Sequence, residues 1–161
     1  MVKTTRIPLI CEPAVNDEGN KVDYKEIYHI LWQLQQETRQ IKNKAIQLSW
    51  EWYNFGSDYK KKAGDYPSSK EVLGYKGLDS YIYDRLKGST SLNSLNLNTT
   101  IRCATKQFQD GLKDYLKGTR AIIEYKENQP LELHNEYLKC VHDGKNYVFT
   151  LSLLSKGAAK E

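Results

Sequence analysis

From Ile27 onward the apolar positions fall at alternating spacings of four and three: Ile27, Leu31, Leu34, Thr38, Ile41, Ala45, Leu48, Trp52 and Phe55. Held over about eight turns, that rhythm predicts one long helix with a continuous apolar seam, roughly 45 Å long at 1.5 Å per residue. Asp23 and Glu26 stand at capping-box spacing just before it. Residues 56–67 turn polar and basic and read as a loop. Ser68 with Glu71 repeats the capping signature ahead of a short helix ending near Gly74, and a second short helix spans Leu78 to Lys87, stopped by Gly88. A longer helix runs from about Thr99 to Lys117, capped by Asn96 or Asn98, with an apolar face of Ile101, Ala104, Phe108, Leu112, Tyr115 and Leu116.

The period changes at both ends of the chain. The β-branched run from Lys3 to Ile10 reads as one strand, confined to an edge by Pro8. After Gly118, the runs 121–125, 131–133, 137–141 and 146–154 have strand composition. The last two flank Asp143-Gly144, a hairpin signal. The order strand, helices, strands predicts an α+β fold: a small antiparallel β-barrel or sheet, formed by residues 1–22 and 119–161, interrupted by an inserted helical lobe over residues 23–118. The last residues, 156–161, read as a frayed tail.

Composition narrows the function classes. The 161 residues have a mean hydropathy of −0.70 and no apolar run long enough for a bilayer of about 30 Å. The amino terminus lacks a secretory signal, so a cytoplasmic protein with no membrane partner is expected. Cys11, Cys103 and Cys140 are odd in number and far apart, and predict buried or half-buried thiols rather than disulfides or a zinc pair. His29, His134 and His142 show no ligand spacing, so neither a metal nor another cofactor is expected.

Net charge is +4, and its distribution matters more than its size. Lysine and arginine balance aspartate and glutamate in residues 1–55 and 119–161, while residues 56–118 carry 11 against 7. No nucleophile elbow, phosphate-cradling glycine loop or H-E-x-x-H is present, and the strands offer mainly Glu124, Glu132 and Glu136, so no catalytic residue is assigned. Tyrosine stands out at 12 residues, several beside cations. Aromatic faces stack on bases while lysine and arginine neutralise phosphates. The best clusters are Tyr59 with Lys60, Lys61 and Lys62; Tyr75 with Lys76; and Ser80, Tyr81, Tyr83 and Arg85. Amide side chains in the Asn93 to Asn98 stretch, Asn96 and Asn98 among them, suit the reading of adenine edges.

The runs Leu31 to Arg39 (LWQLQQETR), Asn43 to Ala45, Gln47 to Trp52 (QLSWEW), Gly56 to Lys60 (GSDYK), Gly64 to Lys70 (GDYPSSK) and Leu73 to Tyr75 resemble the first part of the miniature type V-F CRISPR effectors, the Cas-twelve-f group. The likeness continues through Asn96-Leu97, Thr100-Ile101, Ala104-Thr105, Phe108, Tyr125-Lys126, Pro130-Leu131 and Leu151 to Ser155. It implies a wedge-type barrel interrupted by a recognition lobe, which grips a guide RNA scaffold, reads a short T-rich motif on double-stranded DNA, and pairs two copies around one guide. By position, Ser80, Tyr81 and Tyr83 and the stretch containing Asn96, Asn98, Arg102 and Lys106 become candidates for motif contacts. Lys60 to Lys62 and Lys126 become candidates for phosphate contacts. Ile27, Leu31, Leu34, Ile41 and Leu48 are candidates for pairing with a second copy or an intact effector. Relatives carry an RNase H-like nuclease domain and a paired C-x-x-C zinc ribbon, and neither pattern occurs in these 161 residues. The expectation is a non-catalytic nucleic-acid-binding module, with an interaction protein that docks on an intact effector as the other reading.

Overall fold

The computed structural model describes residues 14–15, 19–68, 70 and 74–155. The expected strand at Lys3–Ile10 and the terminal tail lie outside them, as does most of the short helix expected before Gly74. The chain divides between Gln33 and Leu34 into two compact units. In the first, β1 (Ala14–Val15) pairs antiparallel with β2 (Lys21–Val22), Ala14 opposite Val22. Helix α1 (Tyr24–Ala63) begins directly afterwards. Asp23 caps it, its carboxylate accepting from Lys25 N at 3.2 Å.

The second unit holds the core. Leu34, Ile41, Ala45 and Leu48 continue the predicted seam of α1 and are buried. They share the interior with Ile82 and Leu86 of α2 (Leu78–Leu86) and with Leu97, Ile101, Ala104 and Phe108 of α3 (Ser94–Leu116). Trp50 meets Phe108 edge-on at 5.1 Å and Tyr115 at 6.1 Å, closing an aromatic joint between α1 and α3. Gly111 makes room for that joint, because a Cβ there would stand 2.5 Å from the Tyr115 ring. Phe55 is 40% and Leu116 55% exposed, so the two apolar faces stop short of their predicted ends.

Two helix boundaries differ from expectation. Helix α1 runs on to Ala63 through the predicted loop. The next proline is not reached until Pro67, and Lys60, Lys61 and Lys62 in the last turn complement the negative end of the helix dipole. Helix α3 starts earlier than predicted, capped by Asn93, whose side chain accepts from Asn96 N at 2.9 Å. It ends as expected at Gly118, with φ of 71°.

The hairpin is present: β3 (Leu138–His142) pairs with β4 (Tyr147–Leu151), Cys140 opposite Phe149. Its turn carries Gly144 at φ 99°, and the Asp143 carboxylate accepts from Asn146 N and Lys145 N, which holds it below the usual carboxylate range. Cys103 is half-buried, but Cys140, on this open hairpin, is exposed rather than covered. The strands expected at 121–125 and 131–133 do not form. Asn128 at φ 59° and Pro130 interrupt the run, and side chains satisfy its backbone instead: Asn43 both donates to Tyr125 O at 2.9 Å and accepts from Tyr125 N at 2.8 Å. Among the described residues the α+β class therefore holds, with two separate two-stranded ladders in place of a closed barrel.

Candidate nucleic-acid interface

Helix α3 buries one face and leaves the other polar, with Asn98, Thr99, Arg102 and Gln109 at helical spacing. Across a groove from them stand Tyr75, Lys76, Ser80 and Tyr83, on α2 and the turn before it, and His134 closes one wall. The fold thus brings two stretches chosen separately from sequence to one concave surface: Tyr75, Lys76, Ser80 and Tyr83 from the first, Asn98 and Arg102 from the second. Thr99, which lies inside the candidate stretch from Asn96 to Lys106, belongs to the same surface, as do Gln109 and His134, which were not anticipated. The helical period of α3 points to Thr99 and Gln109, whereas no local pattern points to His134.

Both carboxylates along the groove have partners. Tyr75 donates from its hydroxyl to Asp84 at 3.1 Å, and Asp84 also pairs with Lys87. The Lys87 and Tyr75 hydrogen bonds hold the Asp84 carboxyl below its usual range, and the bond to Asp84 raises the Tyr75 hydroxyl. Asp79 accepts from Thr105 Oγ1 at 2.8 Å and lies 3.7 Å from Arg102 Nε. With its side chain 77% exposed, Arg102 is loosely held and free to turn toward a phosphate or a base edge.

The remaining predicted residues are placed as follows. Tyr81 is buried against Trp52 and Tyr75, with the Arg85 guanidinium 4.5 Å from its ring, so Arg85 is the outward part of that pair. Asn96 is wholly buried. Lys106 is exposed on α3 and does not line the groove. Lys60 stands 4.5 Å over the Tyr66 ring, and Lys61 pairs with Asp58 at 3.1 Å. Lys62 is exposed. Lys126 lies on a second polar groove with Arg39, Gln40, Asn43, Lys44 and Gln47. Leu34, Ile41 and Leu48 are 1%, 4% and 3% exposed, already covered within the chain, while Ile27 and Leu31 are half-buried.

Where the segment after α3 packs on α1, Lys42 Nζ reaches Glu132 at 2.6 Å and lies 5.4 Å from the Tyr125 ring. Burial pushes the Tyr125 hydroxyl up to about 12, and the same surroundings raise the Cys103 thiol. These shifts belong to a protonated, packed interior. Among the described residues no cluster of three or more His, Cys, Asp or Glu side chains could hold a metal ion, and no helix is long and apolar enough to cross a membrane. The groove offers cations, hydroxyls, amides and aromatic faces, which is the chemistry of recognising a polyanion with polar edges.

No family model matches the chain. The CRISPR-associated endodeoxyribonuclease Cas12f1 of Sulfoacidibacillus thermotolerans is 46% identical over 143 residues, covering 87% of this chain. The chain spans 34% of the length of that curated relative.

Proposed function

Because the chain belongs to the type V-F CRISPR effector family, we propose that it is a nucleic-acid-binding module that does not itself cut. In this reading the groove between α2 and α3 takes a short T-rich duplex motif, and guide RNA is held elsewhere on the same chain. The observation that carries the reading is the convergence of Tyr75, Lys76, Ser80, Tyr83, Asn98 and Arg102 on one surface. Arg102 supplies paired donors and Asn98 a donor beside an acceptor for base edges, and Lys76 a phosphate contact, while Tyr83 offers a stacking or sugar contact. Lys60, Lys61, Lys62 and Lys126 follow backbone phosphates outside the groove, and Arg85 and Lys106 extend that cationic surface. Tyr81 and Asn96 act by holding their neighbours in place.

The β3–β4 hairpin would belong to a wedge-like β part of the effector, and helices α2 and α3 to its recognition lobe. The module works in the cytoplasm with guide RNA and target DNA, and two copies, or one copy and an intact effector, pair through the start of α1. A second reading, a docking protein that modulates an intact effector, draws on the exposed Tyr24, Tyr28 and Trp32, which recur every turn beside Ile27 and Leu31.

Fluorescence anisotropy with a labelled T-rich duplex and a scrambled duplex of equal length tests the groove. Arg102→Ala and Tyr83→Ala are each expected to lower affinity for the T-rich duplex about tenfold, in line with about 1–3 kcal/mol for a specific contact. Affinities equal to wild type for both variants would remove the groove from the function.

A further inference from the structure

Asn96 lies in the first turn of α3 with no exposed surface, and both ends of its amide are occupied. Its Oδ1 accepts from His134 N at 2.9 Å and its Nδ2 donates to Ser152 O at 3.1 Å. Asn93 Nδ2 donates to the same Ser152 carbonyl at 2.6 Å. A buried amide bonded to two backbone groups does what a neighbouring strand would do, satisfying an N–H and a C=O that the fold would otherwise strand.

The two anchor points bracket the hairpin. His134 precedes it, Ser152 follows it, and Ser152 N donates to Tyr137 O at 3.0 Å, so both legs are tied together at the base. Two further bonds draw the trailing leg onto the chain before α3: Asn93 N donates to Leu153 O at 3.0 Å and Ser155 N to Ser91 O at 2.9 Å. Ser91 in turn is gripped by Glu37 of α1, which accepts from Ser91 N at 2.8 Å and from Thr90 Oγ1 at 2.7 Å. His134 forms a wall of the groove that Asn98 and Arg102 line from α3. One buried side chain thus joins the helix bearing the reading residues, the groove wall at His134 and the hairpin.

We propose that Asn96 is a positioning residue for the groove: without touching nucleic acid, it holds His134 against α3 and so fixes the wall that His134 forms. The inference rests on the groove being a duplex site. It differs from a direct adenine contact, because the amide has no free donor or acceptor facing outward. Asn96→Ala leaves Ser152 O bonded to Asn93 but removes the acceptor from His134 N–H, so the wall loosens while the helix cap at Asn93 survives.

The test uses the whole chain with the T-rich and scrambled duplexes at fixed salt. Asn96→Ala is expected to reduce the T-rich to scrambled affinity ratio about tenfold, to leave scrambled binding within twofold, and to keep the wild-type circular dichroism spectrum. A folded Asn96→Ala with the wild-type ratio overturns the inference, and so does an equal loss on both duplexes. Should the variant not fold, amide hydrogen exchange on the wild-type chain decides. Adding the T-rich duplex should slow exchange at His134 more than the scrambled duplex does, and equal exchange with both overturns the proposal. Arg102→Ala separates the two levels. Wild-type affinity for the T-rich duplex there and in Tyr83→Ala overturns the groove reading and this inference with it, whereas lowered affinity there beside an unchanged Asn96→Ala ratio overturns this inference alone.

Discussion

Phe108→Ala is expected to destabilise the chain by about 3–5 kcal/mol, the cost of emptying a large aromatic site in a packed core. Phe108 is 2% exposed and forms the hinge of the aromatic joint, 5.1 Å from Trp50 and 6.3 Å from Tyr115. Neither ring can close over the space. Trp50 is fixed on α1, and Tyr115 is already seated over Gly111. Leu116→Ala on the same helix removes an apolar side chain that is 55% exposed, and should change stability by no more than about 0.5 kcal/mol. Urea denaturation followed by circular dichroism reads both. Equal midpoints for Phe108→Ala and wild type would mean that α1 and α3 are not joined here.

The second large effect is electrostatic. Lys42 is 2% exposed and finds its counter-charge in Glu132, a residue 90 positions away. Among the described residues, Glu132→Ala leaves the buried ammonium with only the Tyr125 ring beside it, and a loss of about 3–5 kcal/mol is expected. Removing both charges is a different case, because the desolvation of the pair disappears with it. Lys42→Met combined with Glu132→Leu should recover most of the lost stability. The same denaturation experiment distinguishes the two variants. A Glu132→Ala protein as stable as wild type would show that water reaches Lys42.

The helical seam was legible because core burial in a helix leaves a periodic trace, and Leu34, Ile41, Ala45 and Leu48 follow it without a break. The end of α1 was not. Gly56 and the polar run after it imitate a loop, yet an interior glycine costs only about 1 kcal/mol. The Tyr66 ring covers that glycine, and Asp58 with Lys61 supports the added turns. Residues 121–133 have strand composition, but a strand needs a neighbour, and the neighbours this segment meets are the side chains of Asn43 and Lys42. Composition marked the basic, tyrosine-rich middle of the chain, and the period of α3 separated Asn98 and Arg102 from the core. It could not show that Tyr81 and Asn96 point inward, since either residue type is at home on both faces. His134 reaches the groove only through tertiary contacts, which leave no local signature.

The module reading is tested most directly by a filter-binding titration of the purified chain against a matching guide RNA and an unrelated RNA of equal length, between about 50 and 200 mM salt. Tighter binding to the guide RNA is expected, with affinity falling steeply as salt rises because several phosphates are neutralised at once. Equal affinity for both RNAs, or binding that ignores salt, would contradict it.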